Sequence, residues 1–262
     1  MTKVHIRGID IAYDDEGTGA AIILLHGYPF NRSMWREQVS ALRPSHRIIT
    51  PDLRGHGETD AVPATIPEMA RDAAALLTTL GITDAVVGGL SMGGYVALSF
   101  CRLFPERVSA LVLADTRASA DTAEGKQNRA KQAERALSEG LEGIADEMLP
   151  KLLSPETLAT RPEIAEQLRK MIIQTKPEGA SAALKAMATR DDQTVFLSQI
   201  TKPTLIVVGR DDAITPLTDS ELMHREIEGS HLEVIEGAGH VSNLEQPDNF
   251  NKALENFLGL QS

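Results

Sequence analysis

The sequence predicts an α/β protein built on one mostly parallel, eight-stranded sheet with helices on both faces and a helical cap inserted after the sixth strand. Three observations predict it. Short apolar runs at 20–25, 84–89, 108–114 and 204–208 have the uninterrupted pattern of strands covered on both faces. Stretches with helical spacing, such as 65–80 and 92–104, alternate with them, and that alternation implies parallel strands joined by crossover helices. The alternation stops between Arg117 and Ser198, where helix formers are broken by Gly140, Gly143, Pro150, Pro155, Pro162, Pro177 and Gly179. A chain of 262 residues suits one such domain with an insertion. The expected parts are a core of residues 1–116 and 199–262 and a cap of residues 117–198 containing four or five short helices.

Each element has its own local signal. Val4–Arg7 and Ile9–Tyr13 alternate around Gly8, as in an antiparallel hairpin at a sheet edge. Ala20–Leu25 ends in His26-Gly27-Tyr28-Pro29, after which Asn31 is placed to cap a helix running to Leu42, with Met34, Trp35, Val39 and Leu42 on one face. Arg47–Thr50 is a strand that enters the turn-rich loop Pro51-Asp52-Leu53-Arg54-Gly55-His56-Gly57, and Thr65–Leu80 is an amphipathic helix closed by Gly81. Within the cap, the face formed by Ile164, Leu168, Met171 and Ile172 is expected to bury against the sheet domain. Thr204–Val208 and His231–Ile235 restore the strand pattern, and Pro247–Leu258 closes the chain as an amphipathic helix.

Composition removes several classes of function. A net charge of −11 with a pI of about 5.1, and no lysine or arginine cluster, argues against a nucleic-acid or anionic-membrane surface. The single cysteine, Cys101, excludes an intramolecular disulfide and falls at a core position of a helix, where a buried structural thiol is expected. The N-terminal stretch lacks an apolar export signal and no run approaches eighteen apolar residues, so a cytoplasmic protein is expected.

The chemistry centres on Gly89-Leu90-Ser91-Met92-Gly93, where an apolar strand turns into a helix through a serine. Glycines two residues before and two after Ser91 leave room where strand and helix nearly touch, and the hydroxyl stands at a helix N-terminus that favours developing negative charge. A serine hydroxyl needs a base to take its proton and an acid to orient that base. His240 follows a strand in a glycine-rich turn and is the expected base, with His56 as the alternative; His26 is expected to brace its own turn. The acid should lie past the strand ending at Val208, where Asp211 and Asp212 are adjacent. The Met92 and Tyr28 backbone N–H groups are the expected oxyanion donors.

His26-Gly27-Tyr28-Pro29, Asp52 to Gly57, Gly89-Leu90-Ser91-Met92-Gly93-Gly94, Asp212 with Pro216, and Gly239-His240 followed by Glu245 and Pro247 together resemble the α/β-hydrolase family over essentially the whole chain. Ala114-Asp115-Thr116-Arg117 makes the resemblance strongest to 3-oxoadipate enol-lactonase-like serine esterases, although the only tryptophan, Trp35, lies outside the cap. The family places its acid three residues after a glycine and four before a proline, which selects Asp212 and implies the chain order Ser91, Asp212, His240; some relatives place the acid after the preceding strand instead, which keeps Asp115 as an alternative. The resemblance implies hydrolysis of small carboxylic esters or lactones, with no metal and no cofactor. The same triad would also serve C–C bond hydrolysis or cofactor-free perhydrolysis or haloperoxidation, and the same fold would serve a ligand-sensing receptor.

Overall fold

A computed structural model describes residues 2–259. Its eight strands form one sheet in the order β1-β2-β4-β3-β5-β6-β7-β8. β1 (Thr2–Ile6) and β2 (Ile9–Glu16) make the edge hairpin, and β2 pairs antiparallel with β4 (His46–Pro51). β3 (Ala20–Leu25), β4, β5 (Ala85–Leu90), β6 (Val108–Ala114), β7 (Thr204–Gly209) and β8 (His231–Ile235) run parallel. β5 and β7 are buried along their whole length, as their unbroken apolar sequences require.

Local signals fix the helix boundaries. Asn31 caps a 3₁₀ turn over Arg32–Trp35 before the α-helix proper, α1 (Arg36–Leu42), begins. Thr65 opens α2 (Ile66–Thr79) with a capping box, its side chain taking the Glu68 N–H while Glu68 reaches back to the Thr65 N–H. α3 (Met92–Leu103) lies against β5 and β6, with Val96, Leu98 and Phe100 fully buried. Cys101, also buried in α3, has its thiol pushed up to about 11 by desolvation, the state of an inert core thiol.

Among the described residues the segment between β6 and β7 holds helices and no strand but differs from expectation in two ways. It holds six helices: α4 (Ala123–Glu139), α5 (Glu142–Leu152), α6 (Pro155–Thr160), α7 (Pro162–Ile173), α8 (Pro177–Ala188) and α9 (Thr194–Leu197). Pro155, Pro162 and Pro177 each sit at the start of a helix, where a missing N–H costs nothing, so these prolines set the helix boundaries. The second difference is that α7, on which Leu168, Met171 and Ile172 are buried, packs chiefly on its neighbours α5 and α6 and makes no comparable contact with a strand of the sheet. After β7 come α10 (Leu217–Glu226) and, after β8, the short α11 (Ser242–Glu245), which periodicity did not reveal, followed by α12 (Pro247–Gly259). Among the described residues no helix is long and apolar enough to cross a membrane.

Candidate active site

Ser91 sits between β5 and α3 with φ +54° and ψ −114°, a conformation costing on the order of 1–3 kcal/mol that surrounding structure must enforce. The enforcement is visible in the packing. A Cβ on Gly89 would lie 2.1 Å from the Gly93 carbonyl oxygen, and one on Gly93 would lie 2.0 Å from that of Leu25, so strand and helix close on each other at the glycines. The Ser91 N–H donates to Ala114 O at 3.0 Å, and Thr116 Oγ1 donates to Ser91 O at 2.8 Å.

The structure brings three sequence-selected side chains into one row. Ser91 Oγ lies 2.8 Å from His240 Nε2, and His240 Nδ1 lies 2.8 Å from Asp212 Oδ2. With Asp212 as a carboxylate, Nδ1 carries the proton and Nε2 is left to accept from the serine hydroxyl. Asp212 is held from its other side. Its Oδ1 accepts the Ile214 and Thr215 N–H groups at 2.8 and 2.9 Å, and Thr215 Oγ1 donates to Oδ2 at 2.7 Å. The Asp212-Ala213-Ile214-Thr215 spacing, a carboxylate followed by a hydroxyl three residues on, is the signal that would have identified Thr215.

Charge follows from this geometry. Burial opposes the imidazolium at His240, but the adjacent Asp212 charge and hydrogen bond outweigh it and hold the group above its usual range. Burial likewise opposes the Asp212 anion, and the His240 interaction with the Thr215 hydrogen bonds keeps its carboxyl below the usual value.

The other candidates lie elsewhere. Asp211 is exposed, and its backbone N–H, not its carboxylate, is tied into the structure, bonding Ala238 O at 2.9 Å. His56 is fully buried with its Nδ1 on Arg54 O at 3.0 Å and its ring 5.0 Å from that of His26; burial lowers it to about 3. His26 braces its turn as expected, with Nδ1 donating to Gly27 O and Nε2 accepting the Leu53 N–H, both at 2.9 Å. Asp115 is fully buried and bonds Gly209 and Ser242 rather than His240.

The end of β3 packs directly on the start of α3, since a Cβ on Gly93 would also meet His26 O at 2.9 Å and one on Gly27 would meet Leu90. That contact brings the Tyr28 turn beside Met92, and among the described residues neither the Tyr28 nor the Met92 backbone N–H has an acceptor. The Tyr28 ring packs edge-on against His56, and its buried hydroxyl has no partner among the described residues.

The helical segment reaches the site at several points. His240 N–H donates to Leu152 O at 2.8 Å, and Thr175 Oγ1 donates to Pro29 O at 2.7 Å. Arg190 lies over the Tyr95 ring, 4.1 Å from its centroid, and shares Asp121 with Arg117 and Arg129. Among the described residues no cluster of three or more His, Cys, Asp or Glu side chains is arranged to hold a metal ion.

Residues 20–247 match the family model of the alpha/beta hydrolase fold. Over 237 residues, 90% of this chain and 87% of the other, the sequence is 34% identical to 3-oxoadipate enol-lactonase 2 of Acinetobacter baylyi. Among solved structures, a thermophilic esterase from Thermogutta terrifontis superposes with a TM-score of 0.97 at 42% identity, covering 100% of this chain and 99% of that one. The enol-lactonase from Burkholderia xenovorans LB400 superposes with a TM-score of 0.92 at 27% identity, covering 98% and 100%.

Proposed function

Because the chain belongs to the alpha/beta hydrolase fold family, we propose that it is a serine hydrolase cleaving carboxylic ester or lactone bonds of small substrates through an acyl-enzyme. The observation that carries this reading is the continuous row Ser91 Oγ, His240 Nε2, His240 Nδ1 and Asp212 Oδ2, with both links at 2.8 Å. Ester and lactone bonds are chosen within the family because the similar proteins are named as enol-lactonases and an esterase.

In this reading Ser91 Oγ attacks the carbonyl carbon as its proton passes to His240 Nε2. The Asp212 carboxylate stabilises the imidazolium thus formed and keeps the ring in the tautomer that accepts from serine. The carbonyl oxygen becomes an anion facing the unpaired Tyr28 and Met92 N–H groups, each such donor being worth about 3 kcal/mol of barrier. Collapse of the tetrahedral intermediate returns the proton from Nε2 to the leaving oxygen, which in a lactone stays tethered to the acyl group. Water, deprotonated by His240, then releases the acid and restores Ser91. Residues 117–198 act as a helical cap over the strand ends, inserted into a core of residues 1–116 and 199–262.

The test is Ser91→Ala assayed on p-nitrophenyl acetate beside an enol-lactone. Turnover of accepted substrates should fall on the order of 10⁶-fold. A rate near that of the unmodified protein would refute the assignment.

A further inference from the structure

We propose that Asp115 is a positioning residue for the reaction, clamping the loops that carry Asp212 and His240 to the strand beside Ser91; this rests on the triad reading above. Asp115 ends β6 with φ +42°, and its side chain is fully buried. Oδ1 accepts the Gly209 N–H at 2.8 Å, three residues before Asp212. Oδ2 meets the Ser242 hydroxyl at 2.6 Å and accepts the Ser242 N–H at 3.2 Å, two residues after His240. The Asp115 N–H itself donates to Val207 O at 2.8 Å.

The residues on either side hold the third segment. Ala114 O takes the Ser91 N–H and Thr116 Oγ1 donates to Ser91 O. Three consecutive residues therefore bond to the backbones, or to a side chain immediately adjoining them, of all three segments that supply the row. Among the described residues, Asp115 makes no hydrogen bond to Ser91 Oγ, the His240 ring or the Asp212 carboxylate, so its hydrogen bonds act on the row through main-chain placement.

A carboxyl group in this place is costly, which argues that the clamp is worth keeping. Burial, then repulsion from Asp212, push Asp115 up to about 8, against the pull of His240 and of the Ser242 and Gly209 bonds. A hydrophobic side chain would avoid that cost but would leave two buried backbone N–H groups without acceptors.

The experiment measures kcat and KM on one accepted ester for Asp115→Ala, Asp115→Asn and Ser242→Ala, with Ser91→Ala as reference and thermal unfolding to confirm that each variant is folded. Asp115→Ala should lose kcat by about tenfold or more with KM held within about threefold, because a loosened base–acid pair is felt in the transition state more than in substrate binding. Asp115→Asn keeps an acceptor for the Gly209 N–H and a partner for Ser242 Oγ, and should recover most of the lost kcat. A folded Asp115→Ala with unchanged kcat, a loss confined to KM, or an asparagine variant no better than alanine would overturn the clamp. If Asp115→Ala does not fold, Ser242→Ala carries the comparison: lowered kcat at unchanged KM supports the clamp, and unchanged kcat overturns it. Turnover retained in Ser91→Ala would overturn the triad reading itself, a different result from failure of the clamp alone.

Discussion

Glu245 joins Ser154 to the histidine loop: its Oε2 accepts the Ser154 N–H at 2.8 Å while Oε1 accepts the Gly239 N–H at 2.7 Å, one residue before His240. The carboxylate is wholly buried and ties the α5–α6 junction to the turn that carries His240. Glu245→Ala removes the acceptor from two buried donors at about 1–3 kcal/mol each, so the unfolding free energy should drop by roughly 2–6 kcal/mol. Urea unfolding reads the effect; a change under about 0.5 kcal/mol would show that neither bond contributes.

A second prediction separates Asp212 from its neighbour. Asp212→Asn should reduce kcat by about 10⁴-fold, since asparagine favours the wrong imidazole tautomer. The pH profile supplies the sign. In the proposed mechanism His240 acts as a base only when neutral, and Asp212 holds its pKa above the ordinary 6.5, so activity should fall as pH drops through a value above 6.5. Without the carboxylate, burial is left to dominate and the acid limb of residual kcat/KM should move to lower pH. Asp211→Asn, altering an exposed group, should leave both rate and profile close to those of the unmodified protein.

Buried His26 and His56 make stability fall in acid. Burial lowers their folded values to about 4 and about 3, whereas the unfolded chain titrates near the ordinary histidine value of 6.5. As pH drops below 6.5 the unfolded state takes up protons that the folded state refuses, so the stability present at neutral pH is lost progressively down to about 4 and about 3. Each histidine contributes a slope of up to about 1.4 kcal/mol per pH unit in that window. Denaturant titrations between pH 7 and 5 should show the combined slope, and His56→Asn, which keeps a donor for Arg54 O, should reduce it by about half. An unchanged slope would mean that His56 is not held neutral.

Gly179, at the start of α8, touches Gly55 backbone to backbone. A Cβ on Gly179 would lie 1.8 Å from Gly55 O, and one on Gly55, whose φ is +80°, would lie 2.5 Å from Gly179 Cα. Gly179→Ala must therefore displace α8 from the loop and should cost about 1–3 kcal/mol of stability. Thermal unfolding measures it, and an unaltered midpoint would show that this contact is not tight in solution.

The core strands were legible because their signal is local. Ala20–Leu25 and Val108–Ala114 have the same bounds as the apolar runs read from the sequence, which are bounded by turn formers. Ser91 and His240 were legible for a related reason, since each stands in a glycine-rich turn just past a strand. Asp212 and Asp211 could not be separated by residue type, because their difference is one of facing. Asp212 turns inward onto the Thr215 N–H and hydroxyl, and Asp211 points to solvent. The helical segment was the least legible part. Its α7 packs chiefly on sister helices, and hydrophobic spacing states that a face is covered without saying by what. Glu245 was visible only as part of a motif, because its two acceptors meet one donor 91 residues away in sequence.

The left-handed backbone at position 91 means that the polypeptide is held against its own preference at the serine proposed to react. Glycine would rest there without complaint, and a chain carrying it should be the sturdier protein and an idle one. Durability and reactivity thus pull on the same peptide unit in opposite directions. Stabilising substitutions should be sought in the layers that grip it, with position 91 itself left as it stands.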